Sequence, residues 1–500
     1  IKSSINFCFF VSCISKVYTM RYTYNMVKNF MGDARFWFLA IVIFGGVFAL
    51  HPSLSLAILD FPSLRLGLYQ IAAAGLLITS LPLLFTNRQN FLKNRYLSGG
   101  FLAIFLAMAI GVFFAEARLR TILYSLSLLF LLAIGLAAAV TYRQLSKNQK
   151  HKFIRIGLWS GLVFGILAII QLIAATFEPT GFGTLCPGCK ADVFGFPRIN
   201  LFAAEPQFLA NALLPAFFLA LFQPKSRLAQ LSLFFTATSI ALTFSRGGFL
   251  AIFLAIIVFI AIASIKRLNT SFLYKKLPLI IIGTFFGFTL LFLSANVRYS
   301  SSPFIAHNTL VSMIDQLSLG RIKIPQKTTV KNQPAPAAKS PSPRSTLNTK
   351  PTSPEQTFQP AGFVEASAND RLSASDLAIK SWLNSPRTFL FGVGLGNLGS
   401  FIQKHLHVNV PTDQTVYIFY ILLLSGLGII GLLPLIITPF IILFFAIKNL
   451  RQTKAQFILS LTIALFIHFW FFGSFINTIH CFAIIGIFLY NYPKDYAEKV

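Results

Sequence analysis

The sequence predicts an all-α integral membrane protein, and three observations carry the prediction. Hydrophobic residues make up 55% of the 500 and charged residues only 11%, with mean hydropathy +0.71, which leaves too little polar surface to cover a soluble globule. Apolar runs of bilayer-crossing length recur from about residue 36 to about residue 491. The chain has 42 Lys and Arg against 14 Asp and Glu, a net +28, and of the basic residues in short loops 17 fall in alternate loops and six in the others, as a membrane topology would place them. In a soluble chain such an excess would point to nucleic acid. Here no basic stretch is interleaved with base-stacking aromatics in a polar setting, so no nucleic-acid partner is expected.

Taken in order, residues 1–35 read as a cytoplasmic N-terminal segment. They lack the succession of basic, apolar and small-residue zones of a signal peptide, and because the chain opens on Ile, translation is expected to begin at Met20 or Met26. About 12 transmembrane helices follow. Spans one to nine lie within 36–295, at roughly 36–55, 66–86, 98–115, 121–142, 154–176, 203–223, 228–244, 247–265 and 277–295. A large extracytoplasmic loop covers 296–413, and spans ten to twelve cover 414–491, at roughly 414–447, 455–473 and 475–491. A cytoplasmic tail covers 492–500. Segment 414–447 is too long for one crossing and holds Gly426, Gly428, Gly431 and Pro434, which predicts a short outer helix leading into a true span.

With the N-terminus inside, the inner loops carry groups such as Arg143, Lys147, Lys150, Lys152 and Arg155, whereas the short outer loops hold Arg65, Arg118, Arg120, Lys190, Arg198 and Arg246. The positive-inside rule therefore sets both termini in the cytoplasm. Within the large loop, 321–360 is rich in Pro, Ser, Thr and Lys and reads as a disordered linker. Residues 369–397 then place Leu372, Leu377, Ile379, Trp382 and Leu383 at helical spacing. They predict an amphipathic helix lying on the outer face and ended by Asn384 and Pro386. The Gly-rich turn GVGLGN, 392–397, follows no strand of a βαβ unit and is read as close packing or backbone freedom, not as a nucleotide loop.

In this topology the even-numbered spans aim their N-termini, the positive ends of their dipoles, at the outer surface. Arg118 opens span four, Arg198 and Glu205-Pro206 precede span six, Ser245-Arg246-Gly247-Gly248 opens span eight, and Thr412-Asp413 opens span ten. Backbone N–H groups with guanidinium forks beside them suit a polyanion. Each residue also has a plain structural reading: Ser245 and Asp413 as N-caps, Glu205 as a charge favoured by a helix dipole, and the arginines as anchors to lipid phosphates. A Glu116–Arg118 pair is a further expectation. Cys186 and Cys189 lack the other ligands zinc needs and read as a local disulfide or a redox pair. His468 and His480, inside apolar spans, read either as functional groups or as hydrogen-bond partners between helices, and Cys481 as a buried or lipid-facing thiol. No carboxylate cluster suggests a divalent cation, so no metal or other cofactor is expected.

Read in order, FGFPRINLFAAEPQFLANALLPAF, ALTFSRGGFLAIF, the loop segment NDRLSASDLAIKSWLNSPRTFLFGVGLGN and GLGIIGLL resemble the O-antigen ligase and O-antigen polymerase superfamily of bacterial envelope polysaccharide enzymes. The resemblance covers about 190–447, and SRGG after an apolar run is its most distinctive piece. It implies a metal-independent, GT-C-like glycosyltransferase of polysaccharide biosynthesis in the bacterial cytoplasmic membrane, active on the extracytoplasmic face. The donor would be a glycan linked to a polyprenyl diphosphate such as undecaprenyl diphosphate, the acceptor a saccharide, lipid or protein, and membrane lipids the surrounding partners. The resemblance further implies that Arg246, Arg198 and Arg371 hold the diphosphate; Glu205, Ser245 and Arg118 complete the expected substrate-binding set. The family's His-Asn or Asp-Asn pair before the Gly-rich span is replaced here by KHLHVNVPTDQ, which leaves His407 and Asp413 as candidate catalytic bases. His407 is preferred, because imidazole titrates near neutrality and a helix N-terminus would hold Asp413 too acidic.

A transporter or flippase for polysaccharide or lipid-linked oligosaccharide is the alternative. It predicts ionisable or broken-helix sites at the midplane and two related halves, whereas the charges gather at one face and no internal repeat is present. A third reading is a scaffold that grips the cell wall through its basic linker. Deleting 325–358 separates it: activity survives if the linker is a spacer and vanishes if the linker is the binding module.

Overall fold

Apolar runs of this chain fold as helix because backbone polar groups in hydrocarbon must be satisfied within the protein. A computed structural model describes residues 31–49, 53–56, 64–93, 95–177, 182, 192–193, 196–223, 226–298, 363–471 and 473–491. The linker read at 321–360, Cys186, Cys189 and the tail 492–500 lie outside the described residues. A first helix, α1, runs over 31–44. Then come α2 (Leu68–Lys93), α3 (Arg95–Phe114), α4 (Arg118–Gln144), α5 (Lys147–Phe177), α6 (Pro206–Phe222), α7 (Arg227–Thr243), α8 (Arg246–Ile265) and α9 (Ser271–Arg298). After the linker follow α10 (Phe363–Trp382), α11 (Pro386–Phe391), α12 (Phe419–Lys448), α13 (Thr453–His468) and α14 (Ile479–Asn491). Seven of these, α2 to α5, α8, α9 and α12, hold stretches long and apolar enough to cross a membrane, and α6, α13 and α14 are shorter apolar helices. The chain is an α-helical, multi-pass membrane protein. Two small hairpins depart from the all-helical expectation: Ser53–Leu56 pairs antiparallel with Leu64–Gly67, and Asp192–Val193 with Phe196–Pro197.

The centre of the bundle is α6, buried at every residue but Gln207. A helix apolar all round belongs in the core, and α5, α7, α8 and α13 pack about it. Its 17 residues span about 25 Å, less than the ~30 Å hydrocarbon layer, which a helix wrapped in protein tolerates.

The long helix α12 breaks at Gly428 (φ 62, ψ −169), so 419–427 is one helix and 429–448 another. The glycine-rich composition predicts that division. A break strands carbonyls that would have accepted from residues 429 and 430. Here the Ser425 carbonyl accepts the Val393 N–H at 2.8 Å and the Gly426 carbonyl accepts the Gly394 N–H at 3.1 Å. The 392–396 turn thus docks as bare backbone, with Gly392, Gly394 and Gly396 at φ 74, 98 and 72. Side chains would not fit: a Cβ on Gly392 would lie 2.5 Å from the Gly426 carbonyl carbon, and one on Gly428 would lie 2.4 Å from that of Leu390.

The loop helix ends at Trp382, just before Asn384, and Ser385 then opens α11 with a capping box to Thr388 and Pro386 in the first turn. Small residues, Ala374, Ser375, Ala378 and Ser381, form the buried face, while Leu372, Ile379 and Leu383 are exposed. Small side chains let α10 approach α12 closely, and in an apolar environment large side chains carry no instruction to face inward.

Gly428→Val should therefore cost at least about 3 kcal/mol, from a forced φ and an impossible contact. Gly99→Ala, where an added Cβ meets nothing within 4 Å, should change stability by no more than about 1 kcal/mol. Thermal melts of the two purified variants against wild type check both.

Candidate functional site

Three segments distant in sequence converge at one end of the bundle. The first is the α7–α8 turn. Phe244 closes α7 in the left-handed region (φ 50, ψ 38), and Ser245 opens α8 with its hydroxyl accepting the Gly248 N–H at 3.2 Å. The reversal leaves Arg246 half-buried at the first position of α8. A Cβ on Gly247 would lie 2.7 Å from Phe471, and one on Gly248 would lie 2.9 Å from Ala210 of α6. SRGG is thus a cap, a charge and two close contacts. The Ser245 hydroxyl is buried and accepts from the helix, as its plain reading as an N-cap expects.

The second segment, 198–205, leads into α6. Gln171, wholly buried in α5, accepts the Leu201 and Asn200 N–H groups at 2.7 and 3.2 Å and donates to the Phe182 carbonyl at 3.0 Å. The Ile199 N–H reaches the Leu242 carbonyl at 3.2 Å, and Arg198 Nε donates to the Thr243 carbonyl at 3.1 Å. Arg198 is thereby latched to the end of α7, beside the turn that carries Arg246. Glu205 precedes α6 with extended backbone, and its carboxylate accepts from the Gln207 amide instead of capping the helix. The third segment is α10, whose Arg371 lies over the Tyr417 ring at 5.8 Å.

These groups share one place. The charges of Glu205, Arg246 and Arg371 all act on Arg198, and that of Arg371 acts on Arg246. Burial pushes the Arg198 guanidinium down to about 10; Glu205 opposes the shift and the two other arginines add to it. Arg198 stays charged at neutral pH. Arg198 thus feels one carboxylate and two further guanidiniums, all four groups half-buried, an arrangement short of negative charge.

The other candidates lie apart. Arg118 is exposed and, among the described residues, makes no ion pair. Glu116 binds Lys404 at 2.8 Å and His405 at 3.3 Å, not Arg118, and Arg120 donates to the Thr412 carbonyl. Asp413 does not open a helix: α12 starts at Phe419 with Ile418 as its cap, and Asp413 is exposed in a turn ahead of it. His407, exposed and left-handed (φ 53), ends the helical turn 402–406. Among the described residues no hydrogen bond joins His407 or Asp413 to the arginines.

Within the bundle, Asn211 donates to His468 Nδ1 at 2.9 Å, the Tyr69 hydroxyl meets His480 Nδ1 at 3.1 Å, and the buried Cys481 thiol points to Asn211 Oδ1 at 3.4 Å. The two histidines thus tie α2, α6, α13 and α14 together. Sequence reasoning missed Gln171 and Tyr417. A lone amide inside an apolar run was a signal for Gln171; nothing local marks Tyr417.

No protein-family model and no curated protein sequence matches the chain.

The Glu116 latch makes a pH prediction. Hydrogen bonding to Lys404, more than to His405, holds the Glu116 carboxyl below its usual 4.5. A depressed carboxylate pKa stabilises above the unfolded value and is lost as pH falls through the folded one. Glu116→Gln should therefore cost under about 1 kcal/mol at neutral pH, as exposed pairs do. Melts across a pH series should show wild type and variant converging below pH 4.5.

Proposed function

We propose that this protein is a membrane glycosyltransferase of the O-antigen ligase or polymerase type, with about twelve spans and a GT-C-like plan. It moves a glycan from a polyprenyl diphosphate to an acceptor hydroxyl on the extracytoplasmic face of the bacterial cytoplasmic membrane. The convergence of Arg246, Arg371 and Glu205 about Arg198 carries this reading. In the reaction the bond between the sugar's anomeric carbon and the diphosphate oxygen breaks, the acceptor oxygen bonds to that carbon, and its proton passes to a base. The departing diphosphate gains charge, and fixed guanidiniums stabilise it without reorganising. Glu205, held by Gln207, keeps Arg198 oriented between turnovers. His407 serves as the base, since an exposed imidazole can meet an incoming hydroxyl.

One observation favours transport instead: the polar groups of Asn211, His468, Tyr69 and His480 are buried at the core of an apolar bundle. A transfer assay separates the two readings. Purified protein given a polyprenyl-diphosphate glycan and an acceptor should form a glycosidic product. Arg246→Ala should lower the rate by about 100-fold or more. Arg246→Lys should recover part of it, a point charge replacing a two-pronged donor, and Arg118→Ala should stay near wild type. His407→Ala should lose about 100-fold. Undiminished transfer by folded Arg246→Ala would remove the reading, and glycan movement across a vesicle without transfer would favour the transporter.

A further inference from the structure

At the opposite end of the bundle, the α12–α13 turn is flanked by two recesses. One, of about 490 Å³, is lined by Lys266 at the end of α8 and by Lys448, Arg451 and Gln452 of the turn. The other, of about 250 Å³, runs between helices and is walled by Phe44, Phe153, Phe222 and Phe457, with Thr453 and Lys454, which open α13 directly after the turn, in its lining. Tyr142, also in that lining, carries Lys150 over its ring at 5.4 Å. Among the described residues no carboxylate lines either recess.

Each cation has an ordinary explanation. Lys266 and Lys448 stand at helix C-termini, where the dipole favours positive charge, and a membrane protein keeps basic residues on one side. Neither explanation accounts for their convergence. Lys266 comes from one turn and Lys448 with Arg451 from another far along the chain, yet they border one concavity. All three side chains are exposed, so water screens much of their repulsion, and an anion seated in the hollow would draw on all three at once. An apolar, phenylalanine-walled recess bordering the same turn adds a second requirement, because no free phosphate or nucleotide would use it.

We infer that the two recesses bind an anionic phospholipid, its phosphate among Lys266, Lys448 and Arg451 and an acyl chain against the phenylalanines. Basic pockets between transmembrane helices take such headgroups, each nearby Lys or Arg strengthening retention by about fivefold. The site is independent of the arginine cluster and does not rest on the transferase reading.

The test is a melting titration of the full-length protein in neutral detergent micelles, with phosphatidylglycerol raised as a mole fraction. Wild type should be stabilised saturably, and phosphatidylcholine should do nothing. Lys266→Gln/Lys448→Gln/Arg451→Gln should raise the half-saturating mole fraction by as much as about 100-fold. Arg227→Gln/Lys275→Gln, at the same end but outside both linings, should respond as wild type. If the triple variant does not fold, Arg451→Gln alone carries the test, with about fivefold expected. Equal responses of wild type and the recess variants would overturn the site. Equal stabilisation by inorganic phosphate or glycerol 3-phosphate would overturn the lipid as its occupant.

Discussion

A helix that breaks inside a membrane protein leaves carbonyls that hydrocarbon cannot satisfy, and in this chain the large loop satisfies them. Val393 and Gly394 lend their N–H groups to Ser425 and Gly426, and much else follows. Asn397, next along, accepts the Ala117 N–H at 2.9 Å and donates to the Val393 carbonyl at 2.8 Å, so the loop is tied to the start of α4 as well. Trp382 stacks on Phe389 at 4.9 Å and donates to its carbonyl at 2.8 Å, joining α10 to α11. With α10 and α11 both packed against α12, the charge of Arg371 acts on Arg198 and Arg246. The Arg371 side of the positive cluster thus leans on the backbone pairing at the Gly428 break.

That cluster is costly to keep. Desolvation works against Arg198, its two arginine neighbours work against it further, and Glu205 offsets only part. Gln171 and the Thr243 carbonyl hold it in place all the same. On the proposed reading the hydrogen bond at Arg198 is pre-organisation: an anion would meet partly desolvated charges, one of them already oriented.

Much of this was legible in the sequence. Hydropathy located the helices, since the bilayer imposes length and composition on each span, and Gly426, Gly428 and Gly431 foretold the division of α12. SRGG marked Arg246 correctly as a helix-opening charge. What stayed hidden depended on neighbours. Leu372 and Ile379 could not reveal that α10 docks through Ala374 and Ala378, because apolar spacing loses its meaning where the outside is also apolar. Asp413 read as a helix start because the local pattern does not show that the chain runs on to Ile418 before turning helical. Arg118 and Arg246 looked alike as residues at span N-termini, and only packing separates the exposed one from the half-buried one.

The complete enclosure of α6 bears on how the molecule is made. Asn211, in the middle of that helix, finds its histidine partner 257 residues later, on α13. While the ribosome is still building the second half, an amide must wait in or near lipid, and the flank of α6 that α13 will cover stays open. Biogenesis therefore finishes from the C-terminal side: the last helices close the barrel of neighbours around the first half, and a nascent chain released early would be left with an unsealed core.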